Sequence, residues 1–105
     1  MSDAVQLDIN DKIATLTINR PDARNAMSLE ILDAMHDCVD SLRDSEASVL
    51  VITGAGRAFC AGMDLKAVLI ELSGDASMGE RLLTRLAELT LKIRALDQVT
   101  LASVN

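Results

Sequence analysis

Residues 54–65 read GAGRAFCAGMDL, two close glycines, small residues, one aromatic ring and an aspartate directly after an apolar run. Glycines at that spacing let a backbone turn sharply and approach a ligand closely. Two phosphate chemistries can be tested against them. A dinucleotide fingerprint requires a third glycine three residues past Gly56, where Phe59 stands. A P-loop requires glycine then lysine five residues past its first glycine, and those places hold Phe59 and Ala61. Both are excluded. Metal chemistry lacks donors: His36 is the only histidine, and Cys38 and Cys60 do not lie at finger spacing. Cys60 has no histidine near it in sequence to act as base and reads as a small structural cysteine. His36 sits at the edge of an acidic helix face and reads as a surface residue. Asp64 reads as the N-cap of a helix beginning LKAVL, and Phe59 as the ring that packs the turn onto a sheet.

The elements that must position this stretch are legible on both sides. VQLDI, residues 5–9, alternates apolar and polar as a half-buried strand does, and IATLTI, 13–18, continues after an Asn10-Asp11-Lys12 turn. Pro21 in NRPDARN should end that strand, and Asn25 should brace a turn. Ser28 is a good N-cap for a helix over about 28–43, with Leu32, Met35, Val39 and Leu42 on one stripe and Asp33, Asp37, Asp40 and Arg43 facing water. SVLVIT, 48–53, is short, β-branched and continuously apolar, which predicts a strand covered on both faces. Residues 64–80 begin helical and loosen at SGDASMG; Leu82, Leu86, Leu89, Ile93 and Leu96 then form a second helical stripe. Residues 99–104 predict another buried strand. Strand, helix, strand implies parallel neighbours joined by right-handed crossovers.

Composition bounds the function. The 105 residues form one domain at most, half of them apolar and almost all of those aliphatic. A net charge of −6 argues against nucleic acid, whose phosphates need a basic surface. Neither a signal peptide nor an apolar run long enough for a membrane span is visible, and two cysteines are too few for a disulfide scaffold. A reduced, cytoplasmic setting is expected.

The order of features carries a resemblance. NRPDARNAMS, an amphipathic helix, VLVITGAGRAFCAGMDL, a further helix and VTLASVN together resemble the crotonase family, the enoyl-CoA hydratases and isomerases. The likeness runs from about residue 5 to the end, with RAFCAGMDL, 57–65, its most specific part. It implies an α/β fold with a crotonase-like spiral core of ββα units, of which this chain is an N-terminal fragment. The substrate implied is an acyl-CoA thioester, with coenzyme A part of the substrate and no separate cofactor or metal. The reaction implied is hydration of a trans-2-enoyl-CoA, with double-bond isomerisation or another reaction of the family as the alternative. A non-catalytic CoA-binding or oligomerising module is the rival if the chain ends at Asn105.

Residue by residue, the resemblance makes the backbone N–H of Met63 one donor of an oxyanion hole. Ala61 and Gly62 are small so that the thioester can approach, and Asp64, Leu65 and Lys66 complete the substrate-binding stretch. Capping by Asp64 would fix the direction of the Met63 N–H. Ala61 would also lie by the adenine of CoA, and Arg24 would reach the CoA phosphates, with Lys66 a weaker candidate. Val99 stands where the family usually has proline. Glu71, Glu80 and Glu88 match no catalytic position of the family. The second donor and the proton-moving carboxylates belong to sequence past Asn105, so the parent protein is expected to be well over twice this length. A homotrimer or hexamer is the assembly the resemblance implies.

Overall fold

The computed structural model describes residues 4–60 and 76–105. Among the described residues, a four-stranded sheet of order β1-β2-β3-β4 packs against one α-helix, which in turn carries a second. β1 (Val5–Asn10) and β2 (Ile13–Ile18) form an antiparallel hairpin. Its two-residue loop places Asp11 at φ 51° and Lys12 at φ 69°, the left-handed pair that matches strand twist in a type I′ turn. α1 (Leu29–Leu42) is the crossover that lets β3 (Val49–Gly54) run parallel to β2. α2 (Ala76–Arg94) precedes β4 (Val99–Ser103), which pairs parallel with β3.

The helix starts where the sequence predicts. Ser28 is extended and its Oγ accepts from the Ile31 N–H at 3.3 Å, satisfying one of the donors a helix start leaves open. The core lies between sheet and helices: Ala14, Leu16, Ile18 and Leu50 from the strands meet Ile31, Leu32, Val39 and Leu42 of α1. Burying each large aliphatic side chain contributes about 1.5–3 kcal/mol. α2 docks on α1 through Leu82 and Leu89. Two ion pairs flank that seam, Arg85 with Asp33 at 2.8 Å and Lys92 with Asp40 at 2.9 Å. Both are solvent-exposed in part, so each adds little to stability.

Four expectations change. His36 is buried, not a surface residue: its Nε2 lies 2.9 Å from the Arg85 carbonyl of α2. The reason is that α2 packs on the side of α1 that carries His36, where Arg85 also pairs with Asp33 and Lys92 with Asp40. The SGDASMG joint is helical from Ala76, through Gly79. One helical glycine costs about 1 kcal/mol, which burial of Leu82 and Leu89 outweighs. β3 is fully buried only at Leu50, which joins the core, and at Gly54, which lies against Asn25 and the Ala58 and Phe59 carbonyls. β4 is exposed at all five residues: it is the edge strand, and no described element covers its outer side.

Candidate active site

Parallel pairing decides what can meet. Ile18 is in register with Gly54, and Thr53 with Ser103, so β2, β3 and β4 all end at one edge of the sheet. The segment after β2, the segment after β3 and Asn105 therefore emerge side by side. In open α/β sheets, ligands bind outside this carboxyl edge.

The 19–25 segment is built to meet the glycine turn. A short 3-10 helix, Pro21–Ala23, follows Arg20, and the chain then turns through Arg24 at φ 52° and Asn25 at φ 58°. Asparagine tolerates that left-handed conformation better than most side chains. Asn25 is fully buried and uses three of its hydrogen-bonding positions. Its Oδ1 accepts from the Arg20 N–H at 2.7 Å, and its Nδ2 donates to the carbonyls of Ala55 at 3.0 Å and Ala58 at 2.7 Å. The turn-bracing residue read from sequence thus braces a turn 30 residues away.

Both glycines are dictated by that closeness. A Cβ on Gly54 would overlap the Phe59 carbonyl oxygen and come within 2.6 Å of the Asn25 amide nitrogen. Gly56 has φ +82°, and a Cβ there would come 2.9 Å from the Pro21 Cβ. The turn is also tied to the strands: the Ala55 N–H donates to the Ile18 carbonyl at 2.8 Å. From the other side, the Asn105 amide donates to the carbonyls of Gly54 at 2.8 Å and Gly56 at 2.7 Å. Sequence reading gave Asn105 no part in the site; an amide at a strand end carries no local signal of its partner.

NRPDARN and GAGRAF, about 35 residues apart in sequence, are therefore one structural unit. The sequence pattern of the enoyl-CoA hydratase/isomerase family matches residues 8–105. This chain belongs to that family. A hydroxycinnamoyl-CoA hydratase-lyase of Pseudomonas fluorescens is 39% identical over 104 residues, 96% of this chain and 38% of that protein. A 1,2-epoxyphenylacetyl-CoA isomerase of Escherichia coli K12 is 38% identical over 61% of this chain and 25% of its own length. The crystal structure of an enoyl-CoA hydratase/isomerase from Mycobacterium paratuberculosis superposes with a TM-score of 0.85 at 31% identity, over all of this chain and 42% of that one. The fold is the crotonase fold, and this chain is the counterpart of the N-terminal portion of such proteins. It spans about two fifths of the length of the relatives it matches along its whole extent.

The site residues expected from sequence divide sharply. Met63, Ala61, Gly62, Asp64, Leu65 and Lys66 lie outside the described residues. Arg24 is described: it is exposed, on the loop whose next residue, Asn25, holds the turn. Phe59 and Cys60 are half-buried, and neither cysteine is in a disulfide. Burial pushes the Cys38 thiol above its ordinary 9.0, aided by the charge of Asp37, which makes it a poor nucleophile. Among the described residues no three His, Cys, Asp or Glu side chains converge on a metal position. None of the described helices is long and apolar enough to cross a membrane. An open recess of about 330 Å³ lies between α1 and α2, lined by Asp33, Glu80, Arg81 and Arg85 among others. It shares no residue with the turn, and its charges already pair in part, so it does not compete as a reaction site.

Proposed function

We propose that the protein carrying this segment adds water to a trans-2-enoyl-CoA, with residues 54–66 supplying half of an oxyanion hole. The observation that supports this is the glycine turn: its path is fixed by Asn25, and it leads in sequence directly into Ala61-Gly62-Met63. Attack of water at the β-carbon moves electrons onto the thioester oxygen, and the enolate is stabilised as that charge forms. The backbone N–H of Met63 donates to this oxygen. A fixed donor in a dry site needs no reorganisation as charge develops, and loss of one such donor costs about 10²–10³ in rate. Ala61 and Gly62 leave room for the thioester, Asp64 holds the helix start that follows, and Leu65 and Lys66 border the acyl-CoA. Ala61 faces the adenine and Arg24 reaches the CoA phosphates; the guanidinium suits a phosphate because its donors match two oxygens at once. The second donor and the groups that deliver protons come from sequence beyond Asn105.

The test compares two changes at one position in the complete protein. Met63→Ala keeps the backbone donor and should retain most activity on a short enoyl-CoA. Met63→Pro removes the donor and should abolish turnover while circular dichroism confirms a folded protein. A folded, active Met63→Pro enzyme would remove Met63 from the reaction. The family matched, which joins enoyl-CoA isomerases to the hydratases, favours one second reading, double-bond isomerisation through the same enolate. Product analysis separates the two, since only hydration gives a 3-hydroxyacyl thioester.

A further inference from the structure

We infer that Asn25 and Asn105 are positioning residues that together set the direction of the peptide planes leading into the oxyanion donor. The inference rests on the reading of Met63 given above. Its basis is which carbonyls the two side chains hold. Asn105 takes those of Gly54 and Gly56; Asn25 takes those of Ala55 and Ala58. A peptide unit is planar and trans, so fixing a carbonyl also fixes the next residue's N–H, which points the opposite way. Four of the five planes between Gly54 and Phe59 are thereby pinned, alternately from opposite sides. The first is pinned twice, because the Ala55 N–H also donates to Ile18.

The two carboxamides come from different places. Asn25 is buried in the loop before α1, whereas Asn105 stands two residues past β4. β4 reaches the turn only by pairing with β3, a pairing strengthened by the Thr53 hydroxyl, which donates to the Ser103 carbonyl at 2.9 Å. Docking of β4 is thus transmitted to the turn through one amide group. Glycine at 54 and 56 makes the turn able to take this path but also free to leave it, since glycine restricts φ and ψ least. The amides supply the constraint the glycines lack. A donor that acts on a developing charge loses about 10²-fold when misplaced by about 1 Å, with less effect on ground-state binding.

The experiment uses the complete protein with Asn105→Asp, an isosteric change at an exposed residue, and Asn25→Asp as the buried counterpart. Each replaces an amide donor by a carboxylate oxygen facing two carbonyls. Steady-state kinetics with crotonyl-CoA and amide hydrogen exchange over 54–60 are measured on protein shown to be folded. Asn105→Asp should lower kcat about 10- to 100-fold, leave KM within about threefold, and speed exchange in the turn but not in α1. A lower melting temperature with kcat per folded molecule unchanged would assign the residue a merely structural role and overturn the inference. So would unchanged exchange in the turn. A wild-type protein inactive on every acyl-CoA thioester offered would instead refute the proposed function, while the exchange experiment would still decide whether the amides pin the turn.

Discussion

Gly54→Ala tests the site geometry most directly, because the added atom has nowhere to go. A methyl group at that position meets the Phe59 and Ala58 carbonyl oxygens, the latter at 2.5 Å, and the Asn25 amide nitrogen at 2.6 Å. Ordinary contact begins near 3.4 Å, so the turn and the 19–25 loop must separate by almost 1 Å. Such a shift stretches the 3.0 and 2.7 Å bonds from Asn25 to Ala55 and Ala58 beyond hydrogen-bonding range. An unpaired buried amide costs about 1–3 kcal/mol and the overpacking itself about 1–3 kcal/mol. The expected loss is about 2–6 kcal/mol, a large share of the 5–15 kcal/mol that typically holds a domain together. Urea denaturation of the complete protein reads it as a fall in midpoint at unchanged slope. The double variant with Asn25→Ala should be less than additive by about 1 kcal/mol, because one clash and both bonds vanish with the side chain. A Gly54→Ala protein within about 1 kcal/mol of wild type, or strict additivity, would show that the turn does not sit against Asn25 as described.

Two further outcomes are expected. His36→Ala should cost about 2–4 kcal/mol in the same denaturation assay, whereas Asp37→Ala, its exposed neighbour on α1, should stay within about 0.5 kcal/mol; equal effects would return His36 to the surface. The Asp40 carboxyl is held below its ordinary 3.8, chiefly by the hydrogen bond from Lys92, so its contribution is fully present above that value and fades as pH falls through the lower folded one. The melting-temperature gap between wild type and Asp40→Asn should therefore hold steady above about pH 5 and close on acidification, and a gap that widens toward low pH would contradict the pairing.

The sequence was most informative where structure is set locally. The hairpin, the Ser28 cap and the α1 stripe rest on periodicity, turn chemistry and side-chain donors within a few residues of one another. His36 was misplaced because its environment is made by Arg85, 49 residues on, and a helix packed on two sides shows no wider stripe until its partner is known. β4 has the composition of an inner strand but is an edge in this segment, since apolar residues declare that a face should be covered without saying by what. Ile13, Val49 and Val99 stand in register on that same outer face, as do Thr15, Val51 and Leu101.

The candidate site illustrates a different limit. Asn25 was legible as a brace and the glycines as a turn, yet the bond between them was not, because no residue type encodes a partner 30 positions away. What brings them together is strand direction. An antiparallel β2–β3 pair would send the two segments to opposite ends of the sheet, and neither the Asn25 amide nor Pro21 could reach the glycines. Parallel pairing through α1 makes Ile18 the neighbour of Gly54, and the loops that follow have to share one edge. The second crossover repeats the operation and delivers Asn105 to the same place. Each stretch is then free to specialise: the first loop supplies a buried amide and an exposed arginine, the second a backbone that can be bent, and β4 the amide that holds it from the far side. The reaction site of such a protein is a consequence of topology before it is a property of any motif.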